Sequence, residues 1–168
     1  MRATLLVVAV ATAAIGFTAA PSVAGGCTPG PTKIGGKDAM VFCGPAKATV
    51  KVGGKTYSFS AGTCATTSKY FYLNIGTEIF GVAKQKQPYF GVLAGQYPGS
   101  NPGTKPSPRD GTYTGGLVVV RSQNKAYDLN GAGDKNVKIT LKKGRTAGSF
   151  TGSTFFTPHT KVTGSFTC

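Results

Sequence analysis

One histidine, His159, and five carboxylates, Asp38, Glu78, Asp110, Asp128 and Asp134, are the side chains from which acid–base chemistry could be assembled in this chain. A glycosidase needs two facing carboxylates. These five are scattered, and no two are spaced to suggest a pair. His159 sits in "TPHT", a proline-containing loop, where a solitary histidine is ordinarily solvated. One histidine cannot build a multi-histidine metal site, and cysteines tied in disulfides do not ligate zinc. Neither a G-x-S-x-G elbow nor an S-x-x-K motif occurs in a context that would support catalysis. "NGAGDKN" (130–136) is glycine-rich but lacks the GK[ST] ending and the helix of a phosphate loop. A calcium loop would want more acids than Asp128 and Asp134. The composition therefore predicts a non-enzymatic protein without cofactor or metal. A small secreted hydrolase built on His159 and scattered acids is the catalytic alternative.

The aromatic residues offer more. Tyr70, Phe71, Tyr72, Phe80, Tyr89 and Phe90 cluster in the middle third, in strands apolar on both faces. Such strands are either covered on both sides or leave an apolar strip exposed. In the second case Tyr70, Tyr72, Phe80, Tyr89 and Phe90, flanked by Lys84 and Lys86, are candidate ligand-binding residues. The rings would stack sugars or hold lipid tails, and the lysines would meet an anionic head group. Net charge points the same way: 19 Lys+Arg against 5 Asp+Glu, formally +14 at pH 7. That excess attracts anionic partners, which for an exported chain are wall polymers, phospholipid head groups, acidic polysaccharides and stray nucleic acid. No motif for specific nucleic-acid recognition is present. The lysines are dispersed along the chain, which equally fits solvated strand faces.

The elements carrying these residues read as strands. "KATVKVGGKTYSFS" alternates Ala48, Val50 and Val52 with Lys47, Thr49 and Lys51, and Gly53-Gly54 supplies a two-residue hairpin turn. Further strands are expected at 69–75, 78–84, 89–95, 116–122, 137–142, 147–153 and 162–168, each rich in Val, Ile, Phe, Tyr or Thr. The last two share a Gly-Ser-Phe-Thr core and read as a hairpin with Phe150 and Phe166 inward. Residues 95–115, with four prolines and five glycines, read as a long surface loop or a tether between two halves of one domain. No helical stripe with caps is visible. The fold class expected is all-β: a single antiparallel β-sandwich or partly open barrel with disulfides.

The front end predicts export. Arg2, the apolar run "ATLLVVAVATAAIGFTAA" and the small residues Ser22 and Ala24 have the order of a signal peptide over 1–24, leaving a secreted domain over 25–168. "VAGGC" also approximates a lipobox, which would lipidate Cys27 and anchor the chain to a membrane without spanning it. The mature chain carries no segment long and apolar enough for a transmembrane helix. Its four cysteines, Cys27, Cys43, Cys64 and Cys168, read as a disulfide framework with three connectivities open. A cysteine at the last residue has a use if 162–168 is a sheet strand. Bridging Cys168 to Cys64, just after the first hairpin, would staple the C-terminal edge against fraying, and Cys27 with Cys43 would close the N-terminal segment.

"SFSAGTCATTSKYFYLNIG" (58–76) and "VTGSFTC" (162–168) resemble the small lipoprotein antigen family of mycobacteria and related actinobacteria. The resemblance covers about a sixth of the chain. It implies an exported, envelope-associated β domain with one disulfide and no mapped catalytic activity. The chain departs from that pattern in carrying Ala24 in the lipobox, an additional Cys43 and a lysine excess. A ligand-free structural surface antigen or lipoprotein is the corresponding alternative to a binding function.

Overall fold

The structure is a computed structural model that describes residues 26–98, 105–130 and 136–168. The proposed leader over 1–24, Asp134 and part of the proline-rich loop lie outside the described residues. Thirteen strands make up the described chain, with no helix among the described residues. They are β1 (Gly30–Ile34), β2 (Lys37–Phe42), β3 (Lys47–Val52), β4 (Lys55–Ser60), β5 (Gly62–Thr66), β6 (Tyr70–Ile79), β7 (Tyr89–Gly95), β8 (Gly111–Thr114), β9 (Leu117–Ser122), β10 (Lys125–Asn130), β11 (Lys138–Lys142), β12 (Ala147–Ser153) and β13 (Lys161–Thr167).

They form two antiparallel sheets that face each other without closing into a barrel. Sheet A runs β1-β2-β6-β7-β9-β10, and sheet B runs β4-β3-β13-β12-β11-β8. In sheet A, β5 and β2 take successive stretches of one edge of β6: β5 pairs with residues 71–75 and β2 with 76–79. Gly76 (φ +84°) marks the changeover. A Cβ there would lie 2.2 Å from the carbonyl oxygen of Pro88, so only glycine fits.

Alternation explains the core. Odd-numbered positions of β6 and even-numbered positions of β7 and β9 send Phe71, Leu73, Ile75, Phe90, Val92, Val118 and Val120 inward. Sheet B answers with Val50, Phe59, Ile139, Leu141, Phe150, Val162 and Phe166. A run of rings crosses the interface: Phe59 stacks on Phe90 at 5.5 Å, Phe90 meets Phe150 at 5.5 Å, and Phe71 stacks on Phe166 at 5.4 Å. At one side Tyr57 of β4 and Tyr127 of β10 join the sheets through their hydroxyls, 3.2 Å apart.

The repeated Gly-Ser-Phe-Thr core has a geometric origin. In the β12–β13 register Gly148 faces Phe166 and Phe150 faces Gly164. A Cβ on either glycine would come within 2.4 Å of the opposite ring. Each phenylalanine lies over the glycine of the other strand, so both rings pack closely on the β12–β13 pair.

The structure corrects several expectations. Residues 78–84 are not a separate strand: β6 runs through to Ile79, and 80–88 form a loop. That loop is tied down by the buried Gln85, which accepts from the Ile79 amide and donates to the carbonyls of Thr77 and Gln87. Part of the 95–115 segment, Gly111–Thr114, is strand β8 at the edge of sheet B, paired to β11. The strands β1, β2, β5 and β10 are additional. The disulfides are Cys27–Cys43 and Cys64–Cys168. The second does not guard an edge, because β13 lies inside sheet B between β3 and β12. It ties β5 of sheet A to the end of a central strand of sheet B, and so cross-links the two layers.

Candidate functional site

The outward positions of sheet A should be polar if that face were merely solvated. They are not. The register sets Tyr72, Leu93 and Leu117 in one row across β6, β7 and β9, and Asn74, Gly91 and Val119 in the next. Tyr70 precedes Tyr72 on the same face, its ring 6.2 Å away and nearly parallel. Together these residues line a groove of about 310 Å³ open to solvent, with Tyr97 as one wall and Tyr89 at its inner end. Leu117 is 36% exposed and Tyr97 46%. This is an apolar, tyrosine-edged depression at the small end of the range for ligand sites.

Its floor exists because residue 91 is glycine. A Cβ at Gly91 would sit 2.7 Å from the Tyr89 hydroxyl. The Tyr89 ring instead folds along its own strand and donates to Oδ1 of Asn74 at 2.8 Å. Phe42 of β2 packs on that ring with centroids 6.0 Å apart.

The wall carrying Tyr97 comes from the proline-rich segment. That excursion leaves and returns at one point: the amides of Gln96 and Ser107 both donate to the carbonyl of Lys69. Ser107 is fully buried and donates to the Ala94 carbonyl at 2.8 Å. Gly95 (φ +96°) makes room for it, since a Cβ there would strike Oγ of Ser107. Tyr97 then meets Tyr70 edge-on at 6.0 Å.

Beyond Tyr89 the same face turns polar. A second hollow of about 320 Å³ is lined by Glu78, Gln85, Tyr89 and Arg121 together with residues of the 80–88 loop. Arg121 forms a two-pronged ion pair with Asp128 across the β9–β10 pair, one prong at 2.7 Å. Burial pushes the Glu78 carboxyl above its ordinary range, partly offset by the neighbouring Tyr89 hydroxyl and by the charge of Arg121. Burial likewise raises the Tyr89 phenol, and the neighbouring Glu78 raises it further. Burial lowers the Arg121 guanidinium, against the pull of Tyr89 and Glu78. The face thus grades from an apolar aromatic groove to a half-buried cluster with one cation and two carboxyls.

Of the residues expected to bind a ligand, Tyr70, Tyr72 and Tyr89 are brought together. Phe90 is not: neighbours in a strand point to opposite faces, and Phe90 is wholly buried between Phe59 and Phe150. Phe80 is half exposed at the turn after β6. Lys84 and Lys86 are exposed on the 80–88 loop and line neither hollow. The residues missed are Asn74, Gly91, Leu93, Tyr97, Leu117 and Val119. Parity along "YFGVLAG" and "GLVVVRS" places Gly91, Leu93, Leu117 and Val119 on the outer face, because runs apolar at every position leave apolar residues outside; parity along β6 adds Asn74, and Tyr97, outside any strand, carries no such signal.

His159 donates through Nδ1 to the Thr154 carbonyl, at 3.0 Å, and lines a hollow with Asn136, Ser153, Thr154 and Phe155. No described carboxylate lines it. The described acids lie or are engaged elsewhere: Asp38 with Lys33, Asp110 with the amides of Gly144 and Arg145, Asp128 with Arg121, and Glu78 in the hollow beside Tyr89 and Arg121. The described residues hold no cluster of metal-ligating side chains and no helix long and apolar enough to cross a membrane. No family model, curated protein or solved structure matches the chain.

Proposed function

We propose that the chain is an exported, non-catalytic binding domain of the cell envelope, and that the outer groove of sheet A takes an amphiphilic envelope component. The observation carrying this reading is the exposed groove of Tyr70, Tyr72, Leu93, Tyr97, Leu117 and Val119, continuous through Tyr89 with a polar cluster. An acyl chain or the apolar face of a glycolipid would lie against the tyrosines and leucines, with its polar part toward Asn74 and Tyr89. The two disulfides support an oxidising compartment, in line with the leader expected over 1–24. Lipidation at Cys27 does not combine with this reading, since Cys27 is bonded to Cys43.

The chain has no tryptophan, and four of its seven tyrosines, Tyr70, Tyr72, Tyr89 and Tyr97, line the groove, so tyrosine fluorescence responds to its occupation. Titration with lyso-phosphatidylglycerol below its micelle concentration should give saturable quenching. Leu117→Asp, at a position already partly exposed, should weaken it at least tenfold while leaving the thermal midpoint near wild type. Absence of saturable binding, or unchanged affinity in Leu117→Asp, would instead favour a surface antigen without a ligand in this groove.

A further inference from the structure

The outer face of sheet B is built differently. None of its six strands contains an Asp or Glu. The register places Ser58, Thr49, Ser165, Ser149, Thr140 and Thr112 in a single row that crosses all six strands. On one side of that row stand Lys47 and Lys142, separated by Thr167 and Ala147. On the other stand Lys51 and Lys138, separated by Thr163 and Thr151. All four lysines are exposed. Two lysines in one row lie three strand spacings apart, about 14 Å, and two along one strand lie four residues apart, also about 14 Å. Four lysine positions therefore frame a field of hydroxyls, their backbone spacings greater than the screening length of about 10 Å at 0.1 M salt. The three described acids within strands, Asp38, Glu78 and Asp128, all belong to sheet A.

We infer that this face is a second binding surface, distinct from the groove, for a linear acidic polysaccharide. The lysines would meet carboxylates along the chain, and the hydroxyl row would exchange hydrogen bonds with its sugar hydroxyls. Its outward strand positions carry no large apolar or aromatic side chain to bury in a bilayer interface; the exposed Phe155 and Phe156 belong to the loop between β12 and β13. It also has neither aromatic rings nor guanidinium groups on which bases could stack. The two sheets together would give one small domain two opposite-facing sites, one for an amphiphile and one for a charged glycan.

The test is binding to immobilised polygalacturonate, with neutral dextran and phosphatidylglycerol vesicles as parallel arms. The variant Lys47→Gln/Lys51→Gln/Lys138→Gln/Lys142→Gln is compared with Lys37→Gln/Lys84→Gln/Lys86→Gln/Lys125→Gln, which removes the same charge from sheet A and its loops. At about fivefold per lysine, the first variant should bind about 600-fold more weakly, and the second should stay within a few-fold of wild type. Binding should also fall steeply with salt. Ser165→Glu, a single carboxylate in the middle of the field, should weaken binding at least tenfold without altering the melt. Equal losses in the two fourfold variants would mean net charge alone and would overturn the proposal. So would equal binding to dextran, no binding to polygalacturonate, or a preference for the vesicles.

Discussion

Replacing the Cys64–Cys168 bridge with alanines should be the most costly single covalent change in the molecule. The bridge spans 104 residues and the Cys27–Cys43 bridge spans 16. In the chain-entropy model the closed loop enters logarithmically, giving about 4.7 kcal/mol for the long loop and about 3 kcal/mol for the short one. The two loops do not overlap in sequence, so the unfolded chain gains freedom independently from each, and the losses should add. Structure widens the gap. Cys64 and Cys168 connect the two sheets beside the Phe71–Phe166 stack, whereas Cys27 and Cys43 close only the outlying β1–β2 hairpin. Urea unfolding followed by tyrosine fluorescence, with a slope of about 2 kcal/mol/M, should move its midpoint down by about 2 M for Cys64→Ala/Cys168→Ala. If that variant lost less than about 1 kcal/mol, or lost no more than Cys27→Ala/Cys43→Ala, the assignment of the long bridge as the inter-sheet clamp would be wrong.

Other consequences are equally accessible. In Cys27→Ala/Cys43→Ala, amide exchange should accelerate in 30–34, the edge strand, well before β6 and β7 respond. Gly91→Ala should destabilise by about 1–3 kcal/mol by displacing the Tyr89 hydroxyl, and thermal melts should show a smaller cost in a Tyr89→Phe background. Glu78 has a folded-state pKa above its ordinary 4.5. Its stabilising contribution is therefore full below 4.5 and is lost as pH rises through the folded value. Glu78→Gln should accordingly melt higher than wild type at pH 7, the two converging below pH 4.5. Tyr127 is pushed up to about 12 by burial and by its bond to Tyr57. Stability should then fall as pH rises from about 10 through 12, and Tyr127→Phe should flatten that fall in alkaline denaturation curves.

The two-layer β architecture follows from the residues because short β-branched runs with glycine turns have few other ways to bury one face. The hairpin at 47–60 and the strands at 89–95 and 147–153 were readable for that reason. β1 and β2 were not, since "GPTKI" and "KDAMVF" lack clean alternation and rest on pairing and the Cys27–Cys43 bridge. β10 is not legible either, because "KAYDLN" derives its strand character from β9 and the Arg121–Asp128 pair. Tyr70, Tyr72 and Tyr89 are legible as a cluster, but nearness in sequence puts Phe90 with them where strand parity separates it. Leu117 and Val119 join the groove only through the β7–β9 register, a pairing across more than twenty residues that composition does not encode.

The exchanged glycines and phenylalanines of the last hairpin also act as a proofreading device. Sliding β13 by two residues one way sets Phe150 against Phe166 and Gly152 against Gly164. Sliding it the other way sets Gly148 against Gly164. Either misalignment keeps inward residues inward, so hydrophobic patterning alone would not reject it. Only the native alignment gives every ring a glycine to lie on, and the duplicated motif therefore tells the final strand where to stop.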